Sequence, residues 1–120
     1  MNLSEKEWTV LEALWETGGC ELGAIVEMLK SKTNWSRNTV HTYLTRMEAK
    51  GLVFIDKGVS PHIYKASVGK DKCQQSERKS FLSRVYRGSA GDMIAAFLKE
   101  EKLTQKEKDE LKRLLDNMEV

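Results

Sequence analysis

The chain has 120 residues, 40% hydrophobic and 32% charged, with a formal net charge of +2; this suits a soluble globular protein of one ordinary domain or two very small ones. No apolar run approaches the roughly 18 residues of a membrane span, and no basic stretch followed by an apolar one opens the chain, so a cytoplasmic protein without membrane insertion is expected. Its two cysteines, Cys20 and Cys73, make neither a disulfide framework nor a thiolate cluster, so packing is their expected role and no metal or cofactor is expected.

The first helix is announced by Ser4 and Glu7, spaced as a capping box, with Leu3 and Trp8 placed as a hydrophobic staple. Trp8, Leu11, Leu14 and Trp15 then share a face, and Thr17-Gly18-Gly19 ends it. A second helix is expected from about Glu21, with Leu22, Ile25, Val26 and Leu29 as its buried stripe. Ser31 to Trp35 is a short polar link. The third helix carries the most information. Ser36 can cap it and Trp35 can staple onto Val40. At 100° per residue Val40, Tyr43, Leu44 and Met47 face a core, while Asn38, Thr42, Thr45 and Ala49 face outward with His41 and Arg46 on the flanks. Gly51 stops the helix.

That outward face has no acidic residue before Glu48, whereas a solvated helix normally mixes both signs. The charge distribution agrees. Residues 1–29 carry one base against six acids, residues 30–65 seven bases against two acids, and residues 66–120 twelve bases against ten acids. Localised positive charge around small hydrogen-bonding side chains is what base edges and phosphates in a major groove require. The third helix therefore reads as a DNA-recognition helix, second member of a helix-turn-helix.

After Gly51 the period changes. Residues 52–57 and 62–66 are β-prone and flank Gly58-Val59-Ser60-Pro61, a turn signal with the chain's only proline. A hairpin directly after a recognition helix is where a winged helix carries its wing, and Lys57 near the tip is placed to touch a phosphate. Past Ser67 three more helices are expected. Residues 71–87 gather apolar groups late, at Phe81, Leu82, Val85 and Tyr86. Ser89 with Asp92 precedes Met93, Ile94, Phe97 and Leu98, and Thr104 with Glu107 precedes Leu111, Leu114, Leu115 and Met118. About fifty residues with one-sided apolar groups rarely build a self-sufficient core. The fold class expected is mainly α with a small β-hairpin wing: a winged helix-turn-helix over residues 1–67 and a helical dimerisation module over residues 68–120. The expected dimer surface consists of Phe81, Val85, Tyr86, Ile94, Phe97, Leu98, Leu111, Leu114 and Leu115.

Residues 3–8 (Leu-Ser-Glu-Lys-Glu-Trp), Trp15, residues 34–40 (Asn-Trp-Ser-Arg-Asn-Thr-Val), residues 45–52 (Thr-Arg-Met-Glu-Ala-Lys-Gly-Leu) and residues 85–88 (Val-Tyr-Arg-Gly) together resemble the penicillinase-repressor family, the BlaI/MecI/CopY type. The resemblance covers nearly the whole chain. It implies a cytoplasmic homodimer that represses transcription, in the β-lactam-responsive members of antibiotic-resistance genes, by binding an inverted-repeat operator with TACA/TGTA-like half-sites. By position, it assigns Arg46 to a phosphate or guanine edge. Asn38, Thr39, Thr42 and Thr45 fall to base-edge or backbone hydrogen bonds, with His41 beside them. Arg37 and Lys57 become phosphate contacts, Ser36 contributes through the helix start, and Trp8, Trp15 and Trp35 belong to the core. Two departures matter. Copper-responsive members carry Cys-x-Cys pairs near the C-terminus, and no thiol follows Cys73 here, so copper sensing is not expected. In β-lactam-responsive members a membrane-bound sensor-protease system cuts an Asn-Phe bond, which matches Ala96-Phe97 in this chain: the phenylalanine is kept and the asparagine is not.

Three competing functions make different demands on the sequence. An enzyme would need a nucleophile-base pairing, a phosphate loop or metal spacing, and none stands out around His41 and His62, the only histidines; the protein is expected not to be an enzyme. A winged helix used for protein contact would more often expose aromatics or Met on its third helix. Nothing in the residues excludes a winged-helix repressor answering a small molecule or a redox signal, although the C-terminal segment is small for enclosing a pocket.

Overall fold

The computed structural model describes residues 2–119. The first helix, α1 (Glu5–Thr17), starts where its sequence says it should. Ser4 Oγ accepts the Glu7 amide at 3.1 Å, and Glu7 Oε1 accepts the Ser4 amide at 3.0 Å, a complete capping box. Gly18 ends α1 in the left-handed region (φ 74°) and returns its N–H to the Leu14 carbonyl. A two-residue strand, β1 (Cys20–Glu21), leads straight into α2 (Leu22–Thr33), and Asn34 closes α2, again left-handed at φ 56°. The next helix, α3 (Arg37–Ala49), is capped by Ser36, whose Oγ accepts the Thr39 amide at 3.2 Å.

The hairpin strands β2 (Val53–Asp56) and β3 (Ile63–Ala66) follow, paired Val53 to Ala66 and Asp56 to Ile63. β1 joins the other edge of β3, Cys20 opposite Tyr64, giving a three-stranded antiparallel sheet in the order β1-β3-β2. Two residues are too short for a readable alternation, which is why the sequence shows a helix start there and not a strand. Gly19 makes the approach possible. Its φ is 124°, and a Cβ at this position would lie 2.7 Å from Lys65 Cγ on β3.

Val10, Leu11 and Leu14 of α1, Ile25 and Leu29 of α2, Val40, Leu44 and Met47 of α3, and Val53, Ile55 and Tyr64 of the sheet make one core. Trp15 extends it: its indole N–H donates to the Val68 carbonyl at 2.8 Å, fastening the chain beyond β3 to α1, and it meets Trp8 edge to face. Trp35 packs against the core that contains Val40 and lies flat on Tyr43, centroids 4.8 Å apart, two turns into α3.

The fourth helix, α4 (Lys70–Tyr86), is longest, and Cys73 near its start is buried. The described residues divide inside it into two compact units, one running through Arg78 and the other starting at Lys79. The second unit comprises the end of α4, then α5 (Ala90–Glu100) and α6 (Gln105–Asp116). Ser89 caps α5 through the Asp92 amide, and Thr104 with Glu107 forms a complete capping box on α6. Neither α5 nor α6 holds a buried residue.

Candidate nucleic-acid interface

The inward face of α3 is fully used: Val40, Leu44 and Met47 are inaccessible to solvent. This fixes what points outward. Arg37, Asn38, His41, Thr42, Thr45 and Arg46 are exposed, and Thr39 is half-buried. Local bonds then decide what the small side chains can offer. The hydroxyl of Thr42 donates to the Asn38 carbonyl at 2.9 Å, and that of Thr45 to the His41 carbonyl at 3.0 Å. Ser36 Oγ donates to Thr39 Oγ1 at 3.0 Å. With their protons directed back into the helix, Thr42 and Thr45 present oxygen lone pairs and methyl groups to the exterior. Such a surface accepts hydrogen bonds from adenine or cytosine amino groups and packs against thymine methyls.

The cations on this side are unequal. Lys50 Nζ sits 2.7 Å from Glu7 Oε2, and Lys57 Nζ 3.7 Å from Glu48 Oε2. Among the described residues Arg37 and Arg46 make no ion pair, which leaves their guanidinium groups available to an external anion. Lys57 is exposed at the start of the wing loop and holds Glu48 only at long range. Exchange of that carboxylate for a phosphate costs little at the surface.

Sequence reasoning missed the Glu7–Lys50 pair. Glu7 is 5% exposed and bridges the start of α1 to the end of α3. Burial pushes its pKa up, but the hydrogen bond from Lys50, the Ser4 amide and the Lys50 charge outweigh burial and hold the carboxyl below its ordinary value. The capping-box spacing identified Glu7 as a cap. No local signal joins it to a lysine 43 positions away.

The apolar residues of the second unit form a different surface. Phe81, Val85, Ile94, Phe97, Leu98, Leu114 and Leu115 are exposed there, Phe97 by 52% and Leu114 by 57%, while Tyr86 and Leu111 are half-buried. Phe81 and Tyr86 meet ring to ring with centroids 5.9 Å apart. Ala96 is half-buried beside the exposed Phe97, both within α5. No helix of the described residues is long and apolar enough to cross a membrane.

Three helices, a small antiparallel sheet and a hairpin after the third helix define a winged helix-turn-helix protein, with an acid-poor outer face on that third helix. The profile of the penicillinase repressor family matches residues 3–117, and the chain belongs to that family. It is similar to the methicillin resistance regulatory protein MecI of Staphylococcus aureus, 27% identical over 114 residues that cover 95% of this chain and 93% of MecI. It is also similar to the penicillinase repressor of Bacillus licheniformis, 25% identical over 114 residues, covering 95% and 89%. Among solved structures, the monomeric form of Bacillus licheniformis BlaI in complex with the blaP half-operator matches at a TM-score of 0.53 and 21% identity. That match covers 59% of this chain and 87% of BlaI, and it shows the shared fold.

Proposed function

We propose that the protein is a sequence-specific DNA-binding transcriptional repressor that acts as a homodimer on an inverted-repeat operator. The observation that carries this reading is the outer face of α3, where exposed Asn38, His41, Thr42 and Thr45 lie between the unpaired Arg37 and Arg46, with no carboxylate before Glu48. Arg46 reaches a phosphate or a guanine edge, Asn38, Thr39, Thr42 and Thr45 make base-edge or backbone hydrogen bonds with His41 on their flank, Arg37 and Lys57 hold phosphates, and Ser36 sets the helix start against the backbone. Membership in a family whose relatives include MecI and the penicillinase repressor supports the reading.

One winged helix with so few free cations binds DNA weakly, with a non-specific Kd of roughly 10⁻⁴ to 10⁻⁶ M. Two held together bind tightly through effective concentration. Residues 68–120 are the dimerisation module in this reading. The support is that among the described residues α5 and α6 hold no fully buried side chain while exposing Ile94, Phe97, Leu98, Leu114 and Leu115, a pattern that a second copy of the same surface satisfies. Half-sites then lie about one helical turn, or a whole multiple, apart. Release follows from loss of the dimer. Cleavage at Ala96-Phe97 by a membrane-bound sensor-protease system cuts α5 and separates α6 from the remainder, and it requires α5 to open locally because the bond lies inside a helix.

The test is selection of genomic fragments by the purified protein at near-physiological salt, followed by sequencing. An enriched inverted repeat is the expected result, and the adjoining genes then indicate the signal. Uniform, salt-sensitive retention without a motif refutes the operator-specific reading, and no retention refutes DNA binding altogether.

A further inference from the structure

The two histidines are 21 positions apart, yet they line the same depression. A cleft of about 340 Å³ lies between the start of α2, the first turns of α3 and the base of the wing, with Glu21, Arg37, His41 and His62 on its walls. Gly23 also lines it, and a Cβ at this position would meet Arg37 Nη1 at 3.5 Å and Glu21 Oε1 at 3.8 Å, ordinary contact distances. Glu21 precedes α2 without making a side-chain cap bond to it. The cleft therefore brings together one permanent cation, one carboxylate and two imidazoles, drawn from three elements. Among the described residues no three histidine, cysteine or acidic side chains come together as a metal-holding group. The donor set suits an oxyanion.

The charge in the cleft depends on proton uptake. Arg37 and Glu21 offset each other, so with neutral imidazoles the cleft carries no net charge, and with both imidazoles protonated it carries +2. Imidazole is the side chain whose charge ordinarily changes between pH 5 and 8. Arg37 and His41 also stand on α3, whose next turns carry the base-reading face, and His62 stands where the wing returns to β3. The cleft is thus continuous with the surface assigned to the duplex. We infer that it seats one backbone phosphate of the bound DNA, held by Arg37 and by protonated His41 and His62, so that DNA binding takes up protons. This inference rests on the DNA-binding reading above and adds a phosphate site and a pH dependence to it.

The probe is a mixed-sequence DNA duplex, since a phosphate contact carries no sequence information. With only two histidines in the chain, each ring signal can be followed by NMR through a pH titration, for the free protein, with inorganic phosphate, and with the duplex. Both ring midpoints should move to higher pH with the duplex. Net uptake of one proton tightens binding about tenfold for each pH unit lowered. The His41→Gln/His62→Gln double variant should lose that slope. Midpoints unchanged in a formed complex overturn the inference. So does a shift produced in full by inorganic phosphate and not by the duplex, which would make the cleft a free-anion site, or an unaltered slope in the double variant. Absence of any complex is a different failure, that of DNA binding itself.

Discussion

Glu7 has two roles at once, and its replacement separates them. One oxygen completes the α1 capping box at 3.0 Å from the Ser4 amide, and the other accepts Lys50 Nζ at 2.7 Å. Glu7→Gln keeps the shape and an acceptor for Ser4 but removes the charge. A hydrogen bond between charged groups contributes about 1.5–3 kcal/mol when buried. The Lys50 side chain is 58% exposed, so solvent screening reduces the coupling to about 1 kcal/mol. Glu7→Ala also loses the cap, for a total near 2 kcal/mol. For a chain of this size these losses correspond to falls in Tm of about 4 °C and 8 °C. The pH dependence has a definite sign. Because the folded carboxyl is held below its ordinary value of 4.5, its contribution is present in full above that value and is lost as pH falls through the lower, folded one. The difference between wild type and Glu7→Gln should therefore be full at pH 7 and close in strong acid. Thermal melts followed by circular dichroism measure this, in a cycle with Lys50→Met. Additivity of the two single losses within about 0.3 kcal/mol would refute the coupling.

Arg46→Ala should weaken duplex binding at least tenfold in a fluorescence-anisotropy titration while leaving Tm within about 1 °C, because the side chain is exposed and unpaired; unchanged binding removes it from the interface. Leu44→Ala, at a position with no solvent access, should cost about 3 kcal/mol by denaturant unfolding; a loss below about 1 kcal/mol would mean that α3 is not anchored as described. Trp15→Phe should lower Tm by about 4 °C, since it removes the indole donor to the Val68 carbonyl and leaves that acceptor to water; an unchanged Tm would show that the bond contributes nothing.

Much of the winged helix was legible because its signals are local. Ser4 with Glu7, Ser36, Gly18 and the stripe Val40, Leu44, Met47 act within one or two turns, and each reports its own conformation. β1 was not legible, since a two-residue strand exists only through its pairing of Cys20 with Tyr64 and through the space left by Gly19. The candidate site divides in the same way. Exposure of Asn38, Thr42 and Thr45 follows from helical periodicity. The engagement of Lys50 by Glu7 and of Lys57 by Glu48, and the placing of His41 and His62 on the walls of one cleft, arise from tertiary placement. Counting bases between residues 30 and 65 could not tell free cations from paired ones.

That difference between free and paired cations bears on affinity. If Arg37, Arg46 and Lys57 are the phosphate contacts of one winged helix, about three counterions leave the duplex per subunit, and log K falls against log salt with a slope near −3. A dimer engaging both half-sites should show a slope of about −5 to −6. Leu114→Asp places a charge on an exposed apolar side chain of α6; it should leave unit 1 folded, dissociate the dimer in sedimentation equilibrium, and halve the slope together with the loss of affinity. The two readouts must move together. A monomeric variant that keeps the steep slope would mean that one winged helix supplies all the phosphate contacts, and dimerisation through α6 would then be irrelevant to binding. A variant that stays dimeric but loses the slope would place Leu114 on the DNA-binding side of the mechanism, contrary to the division of labour proposed for the chain.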